Sequence, residues 1–255
     1  MIIAPSKGFA FVHLEKCGGT SVEAALEPFL SWNDIVLGST AFGEAIQPAF
    51  HERHGLRKHS TVSDIVMVIG VEAWMQLRSF AVVRNPREIA VSLYFFSHRL
   101  VLAALGQDPK VTLNDWVVND SFPQAWPFSA GYVQDYCAAL VDGSDFDGFV
   151  RRSVAAPRGY FQPQWDRLTL TGDADSECGV SRVIELSRLA DNWAELVDWI
   201  GINTGEKSIS LERLNHSDWS RSLGECFENP ETDDLVRAQF HRDYEILGPR
   251  IGANW

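Results

Sequence analysis

The stretch from His13 to Ser21, His-Leu-Glu-Lys-Cys-Gly-Gly-Thr-Ser, narrows what this chain can fold into more than any other. Leading into it, Gly8 to Leu14 is short, aromatic and β-branched, bounded by Lys7-Gly8 and Gly18-Gly19, as a buried strand is. After it, Thr20-Ser21 can cap a helix whose apolar positions Val22, Ala25, Leu26 and Phe29 keep a three-to-four spacing until Pro28 strains the end. A strand, a glycine turn and a helix in succession suit a phosphate. Glycine lets the backbone approach an anion, N–H groups at the helix start point at it, and Lys16 adds a mobile positive charge. The turn is not a Walker loop, whose lysine follows its last glycine as G-K-[ST], because Lys16 precedes Gly18. A glycine turn with a surface lysine is the plain alternative for this stretch alone.

A second unit of the same kind follows. Ser79 to Val83 reads as a strand, Asn85 as a helix cap and Pro86 as a first helical residue, with Ile89, Val91, Leu93 and Phe96 along the helix. Between the two units, Thr61 and Asp64 match a capping signal for a helix through Val62, Ile65, Val66 and Ile69, stopped by Gly70. Further helices are expected over Leu189 to Ile200, ending at Gly201, and from Asn229-Pro230 through Leu235, Val236, Phe240 and Leu247, closed by Gly248. Residues 101–130 and 150–180 are less legible. Strands alternating with helices predict an α/β fold around a central, mainly parallel sheet, with ligands at the carboxyl ends of its strands.

The 255 residues, 45% of them hydrophobic, suit one globular domain over residues 1–255. Lys plus Arg number 22 against 34 Asp plus Glu, and the net charge of −12 argues against wrapping nucleic acid or lying on an anionic membrane. Any anionic ligand then needs a local basic pocket. Cys17, Cys137, Cys178 and Cys226 are scattered without C-x-x-C pairing, so neither zinc site nor disulfide scaffold is expected, and a reducing cytoplasm is the simpler home. The apolar start Met1 to Ala4 is cut by Pro5 and Lys7, and no later run reaches the roughly 18 apolar residues of a membrane span.

With His13 to Ser21, the run from Phe80 to Ser92 resembles the sulfotransferases that use 3′-phosphoadenosine 5′-phosphosulfate (PAPS). The likeness is to their carbohydrate-type branch, whose patterns read approximately H-I-P-K-T-G-G-T-S and F-x-V-V-R-N-P-x-x-R-x-V-S-x-Y. Lys58-His59-Ser60, Pro163-Gln164 with Leu168, Leu214-Asn215-His216-Ser217 and the ending Asp243 to Gly248 are similar to later family segments, in the same order. The resemblance implies a P-loop-like three-layer fold. It assigns Lys16, Cys17, Gly18, Gly19, Thr20 and Ser21 to the 5′-phosphosulfate loop, and Arg84 and Ser92 to a 3′-phosphate clamp. Three departures stand out: Glu15 replaces a usual proline, Cys17 a usual threonine, and Ile184 to Ser187 a G-R-F-E-like run. A carboxylate at position 15 would repel a dianion unless it points away, and the hydroxyl missing at Cys17 is worth about 0.5–1.5 kcal/mol if it bonded phosphate.

The implied reaction moves a sulfuryl group from PAPS to a hydroxyl of a glycan or small molecule and releases adenosine 3′,5′-bisphosphate, with no metal. Lys16 is then a catalytic cation for the leaving phosphate. His59 is the candidate general base, kept neutral by the positive end of the helix ahead of which it sits; a capping or packing histidine is the alternative. His13 reads as structural. His51, His54 and His59 match no standard metal-ligand spacing. Arg53, Arg57 and Lys58 form a small basic cluster open to an anionic acceptor, though a solvated face explains it as well. Trp32, Trp126 and Trp165 are candidates to line an acceptor cleft, whereas Trp193 fits a core face. An ATP-dependent small-molecule kinase and an inactive nucleotide- or glycan-binding relative are the competing functions. Oligomeric state is not legible.

Overall fold

Strands buried on both faces read as unbroken apolar runs, and two such runs form the middle of the sheet. In the computed structural model, which describes residues 1–106, 110–156, 160–172, 176–202, 209–214 and 219–255, the strands are β1 (Ile2–Ala4), β2 (Phe9–Val12), β3 (Ile35–Val36), β4 (Arg78–Val83) and β5 (Arg182–Glu185). The helices in chain order are α1 (Gly19–Leu26), α2 (Ala41–His54), α3 (Val62–Ile69), α4 (Val71–Met75), α5 (Pro86–Leu105), α6 (Lys110–Val118), α7 (Gly131–Asp142), α8 (Asp145–Ala155), α9 (Gln164–Leu168), α10 (Leu189–Trp199), α11 (Leu223–Cys226), α12 (Pro230–Gln239) and α13 (Gly248–Arg250). Contacts group the chain into two compact units. One holds Met1–Arg84, Gln164–His216 and Arg242–Trp255; the other holds Asn85–Pro163 and Ser217–His241.

The first unit is α/β, with a five-stranded sheet flanked by helices in the order β3-β1-β2-β4-β5. The sheet is mixed, not mainly parallel as expected. β1 pairs antiparallel with both β2 and β3, while β2–β4 and β4–β5 pair in parallel. The reversed strand, Ile2–Ala4, is formed by the apolar start of the chain, so the strand expected at Gly8 to Leu14 is the second one and spans Phe9 to Val12. Its turn explains the pairing: Lys7 N–H donates to the Ala4 carbonyl at 3.1 Å, and Gly8 takes a left-handed φ of 69°. Phe11 stacks on Phe80 across β2 and β4 with centroids 4.9 Å apart. Because β3, β2, β4 and β5 all point one way, the segments after Val36, Val12, Val83 and Glu185 leave the same edge of the sheet.

Local capping chemistry opens α3, α5 and α12, but not α1: the expected Thr20-Ser21 cap is absent, because Gly18 is the N-cap without a side-chain hydrogen bond and Thr20 and Ser21 lie inside the helix. The Thr61 hydroxyl accepts from Asp64 N–H and the Asp64 carboxylate from Thr61 N–H, closing a capping box on α3. Leu189, Trp193, Leu196 and Val197 are the buried face of α10. The last expected helix departs from its reading: α12 stops at Gln239, Asp243–Leu247 forms a π-helical turn, and Gly248 opens α13 instead of closing anything. The buried Asp243 carboxylate accepts backbone N–H groups of Gln164 and Trp165 at the start of α9, a tie that the sequence pattern does not carry.

The second unit is helical. α7 packs on α8, α5 and α6, and Tyr94 on α5 meets Tyr136, Phe146 and Phe149 edge to face at 5.2–5.5 Å. α5 is long and apolar enough to cross a bilayer by length and composition, yet half of its most apolar stretch is buried within the protein, as a core helix is.

Candidate functional site

At the sheet edge, the segment after β2 turns through Lys16, whose φ of 62° is left-handed, and Gly18, the N-cap of α1, whose φ of 77° is left-handed too. Left-handed backbone suits glycine and is uncommon for a lysine. A side chain at Gly18 would stand 2.7 Å from Leu186, the residue that follows β5, so glycine is what lets that loop close down. Gly19 faces the His13 ring still more tightly: a Cβ there would lie 2.1 Å from its Cδ2. His13 is buried, and its Nδ1 lies 2.7 Å from Oε1 of Glu23 on α1. Burial lowers its pKa to about 4, so the ring is neutral at neutral pH. Its role is structural, holding strand end and helix start together.

Arg84, directly after β4, meets this loop. Its Nη1 donates to the Lys16 carbonyl at 3.1 Å, so the two expected cationic residues leave adjacent parallel strands and join. The Cys17 thiol points inward, donating to the Glu15 carbonyl at 3.2 Å and to Oε1 of Gln164 at 3.4 Å; burial pushes its pKa far up, so it is no thiolate. Thr20 Oγ1 lies 2.9 Å from Ser39 Oγ, and Ser21 Oγ accepts from Leu214 N–H at 3.0 Å. Leu214 is the described residue of its motif; Asn215, His216 and Ser217 lie outside the described residues. Ser92 is buried on α5, in the second unit.

His59 stands just before the α3 cap. Its Nδ1 lies 2.9 Å from the His13 carbonyl, a contact that places the proton on Nδ1 and the lone pair on Nε2. The His13 and His59 rings meet edge to face at 4.6 Å, and burial lowers the His59 pKa well below its ordinary value. Glu15 does not face open solvent: it is buried in an ion pair with Arg167, which also donates to the His59 carbonyl. Burial raises the Glu15 pKa, with the Arg167 charge acting against it.

Arg167, Gln164, Glu23 and Asp243 are site residues that the sequence reading did not single out. Gln164 and Asp243 lie inside motif segments but had no role there. Glu23 offered one signal, an acid next to Val22 in an apolar helix, and it proves fully buried, bonded to His13 and to Ser39 N–H. Of the remaining candidates, the His51 ring is taken up by Arg57, Trp165 is buried, and Trp32 and Trp126 are largely exposed. Trp193 is core, its Nε1 donating to the Ile209 carbonyl at 2.9 Å. No family model, curated protein or solved structure matches this chain.

Proposed function

We propose that the chain is a cytoplasmic sulfotransferase with a P-loop-like three-layer fold, moving the sulfuryl group of PAPS to a hydroxyl of a glycan or small molecule and releasing adenosine 3′,5′-bisphosphate. The observation that carries this reading is the junction of Arg84 with the Lys16 carbonyl, which puts two cationic residues, a left-handed glycine turn and the start of α1 at the carboxyl ends of adjacent parallel strands. In a chain of net charge −12, such a local concentration of positive groups favours an anionic ligand.

In this reading the loop from Lys16 to Ser21 holds the 5′-phosphosulfate, and Arg84 takes the 3′-phosphate. Cys17 contributes to the loop through its backbone, since its thiol bonds Gln164. The carboxylate that departs from the family pattern, Glu15, is matched by Arg167, which removes the repulsion it would otherwise exert. Sulfuryl transfer is an in-line displacement governed by positioning and electrostatics. The Lys16 ammonium stabilises negative charge growing on the oxygen that leaves sulfur, and Nε2 of His59 takes the acceptor proton.

Calorimetry comparing adenosine 3′,5′-bisphosphate with ATP and magnesium tests the donor site. Binding of the bisphosphate and transfer from sulfur-labelled PAPS to an acceptor in a broad hydroxyl panel are expected. Preference for ATP would mark a kinase, and tight bisphosphate binding without transfer an inactive relative.

A further inference from the structure

We propose that Gln164, held by Asp243, is a positioning residue that fixes Arg84 against the Lys16 loop and so sets the preference of this site for a nucleotide bearing a 3′-phosphate; the inference rests on the donor reading above. The Gln164 side chain pairs with Arg84 as a neighbouring strand would. Its Oε1 accepts from Arg84 N–H at 2.8 Å, and its Nε2 donates to the Arg84 carbonyl at 2.8 Å. The same Oε1 accepts the Cys17 thiol at 3.4 Å, and the second Nε2 proton goes to Oδ2 of Asp243 at 2.9 Å. All four hydrogen-bonding positions of the amide are thereby used. A flipped amide would set NH₂ against the Arg84 N–H, so only one orientation fits.

Asp243 in turn accepts from Gln164 N–H at 3.0 Å and from Trp165 N–H at 2.9 Å, and both acid and amide are buried. A satisfied buried polar network of this kind rigidifies what it touches. It touches both loops of the donor site: Cys17, beside Lys16, and both polar groups of the Arg84 backbone. The guanidinium therefore starts from a pinned backbone when it reaches the Lys16 carbonyl, and displacement of a charged group by about 1 Å is enough to change recognition strongly.

The test is the affinity ratio between adenosine 3′,5′-bisphosphate and adenosine 5′-phosphate, measured by calorimetry on the full chain. Gln164→Ala is expected to lower the ratio about tenfold, and Asp243→Asn by less, since an asparagine oxygen still accepts. Gln164→Asn keeps the amide one methylene short, so it should lower the ratio too, and it serves if the alanine variant fails to fold. Ser79→Ala is the control: Ser79 sits at the far end of β4, where its hydroxyl accepts from Ser181 N–H, and its loss should lower Tm with the ratio unchanged. A folded Gln164 variant with the wild-type ratio overturns the proposal while leaving the donor reading intact. A wild-type protein without preference for the bisphosphate overturns the donor reading itself, and the proposal with it.

Discussion

Lys16 and His59 reach their positions by different means. Lys16 lies in a left-handed turn that the chain holds at a cost of about 1–2 kcal/mol, a strain of the sort found where a side chain is displayed for function. If the proposed sulfuryl transfer holds, Lys16→Ala is expected to lower kcat about 10²–10³-fold, as loss of an oxyanion donor does, with a smaller change in the KM for PAPS. Steady-state kinetics would check it, and an unchanged kcat removes Lys16 from the chemistry. His59 is held by the His13 carbonyl, and burial lowers its pKa. If His59 is the base of the proposed transfer, its lowered pKa leaves it unprotonated further into acid, so the acidic limb of the kcat/KM profile should fall well below pH 6.5 and vanish, with most of the activity, in His59→Ala. A limb at or above pH 6.5 would exclude His59 as the base. Lys16 and His59 carry motif signals within their own stretch of sequence, whereas Arg167 carries none, since its partners Glu15 and His59 lie more than a hundred residues away.

Among the elements, the tightest coupling is between β2 and α1 through His13 and Gly19. A methyl group at Gly19 overlaps the His13 ring, which Glu23 holds from its other side, so relief by rotation is blocked. Gly19→Ala should destabilise the protein by about 1–3 kcal/mol, the range for overpacking, and urea unfolding would measure it. Unaltered stability would mean that the ring moves aside without cost. Capping offers a contrasting case: Thr61→Ala removes one hydroxyl from the α3 cap and should cost about 1 kcal/mol. Caps of this kind are local, which is why α3 and the start of α5 were legible. β1, three residues long, gives no periodicity to detect and exists only because β2 and β3 pair with it. The break after Gln239 is equally non-local, since Asp243 is drawn to the start of α9.

Over the whole molecule, two buried groups give stability opposing pH dependences. Burial lowers the His13 pKa to about 4, so between roughly pH 6.5 and 4 the unfolded chain binds the extra proton and acidification costs stability, by about 3 kcal/mol over the full window. Burial raises the Asp243 pKa to about 6, so between about pH 6 and 3.8 the folded chain binds the extra proton and acidification adds stability. The two windows overlap and oppose each other, while the lowered His59 pKa adds to the loss in acid. Asp243→Asn removes the second contribution and should lose stability more steeply than wild type between pH 6 and 4, read from urea unfolding at a series of pH values. Parallel profiles would show that Asp243 is ionised throughout. Neither contribution is visible in composition, which reports only the charge total.

The amino-acid sequence alone determined the strand-turn-helix units, the caps of α3 and α5, and the residue types able to meet an anion, because these depend on neighbours within a turn or two of chain. Tertiary structure decided the reversed β1, the pairing of Glu15 with Arg167 and the amide of Gln164 between Cys17 and Arg84. Buried polar groups must find partners wherever the fold brings one within about 3 Å, and for these residues the partner came from a distant part of the chain.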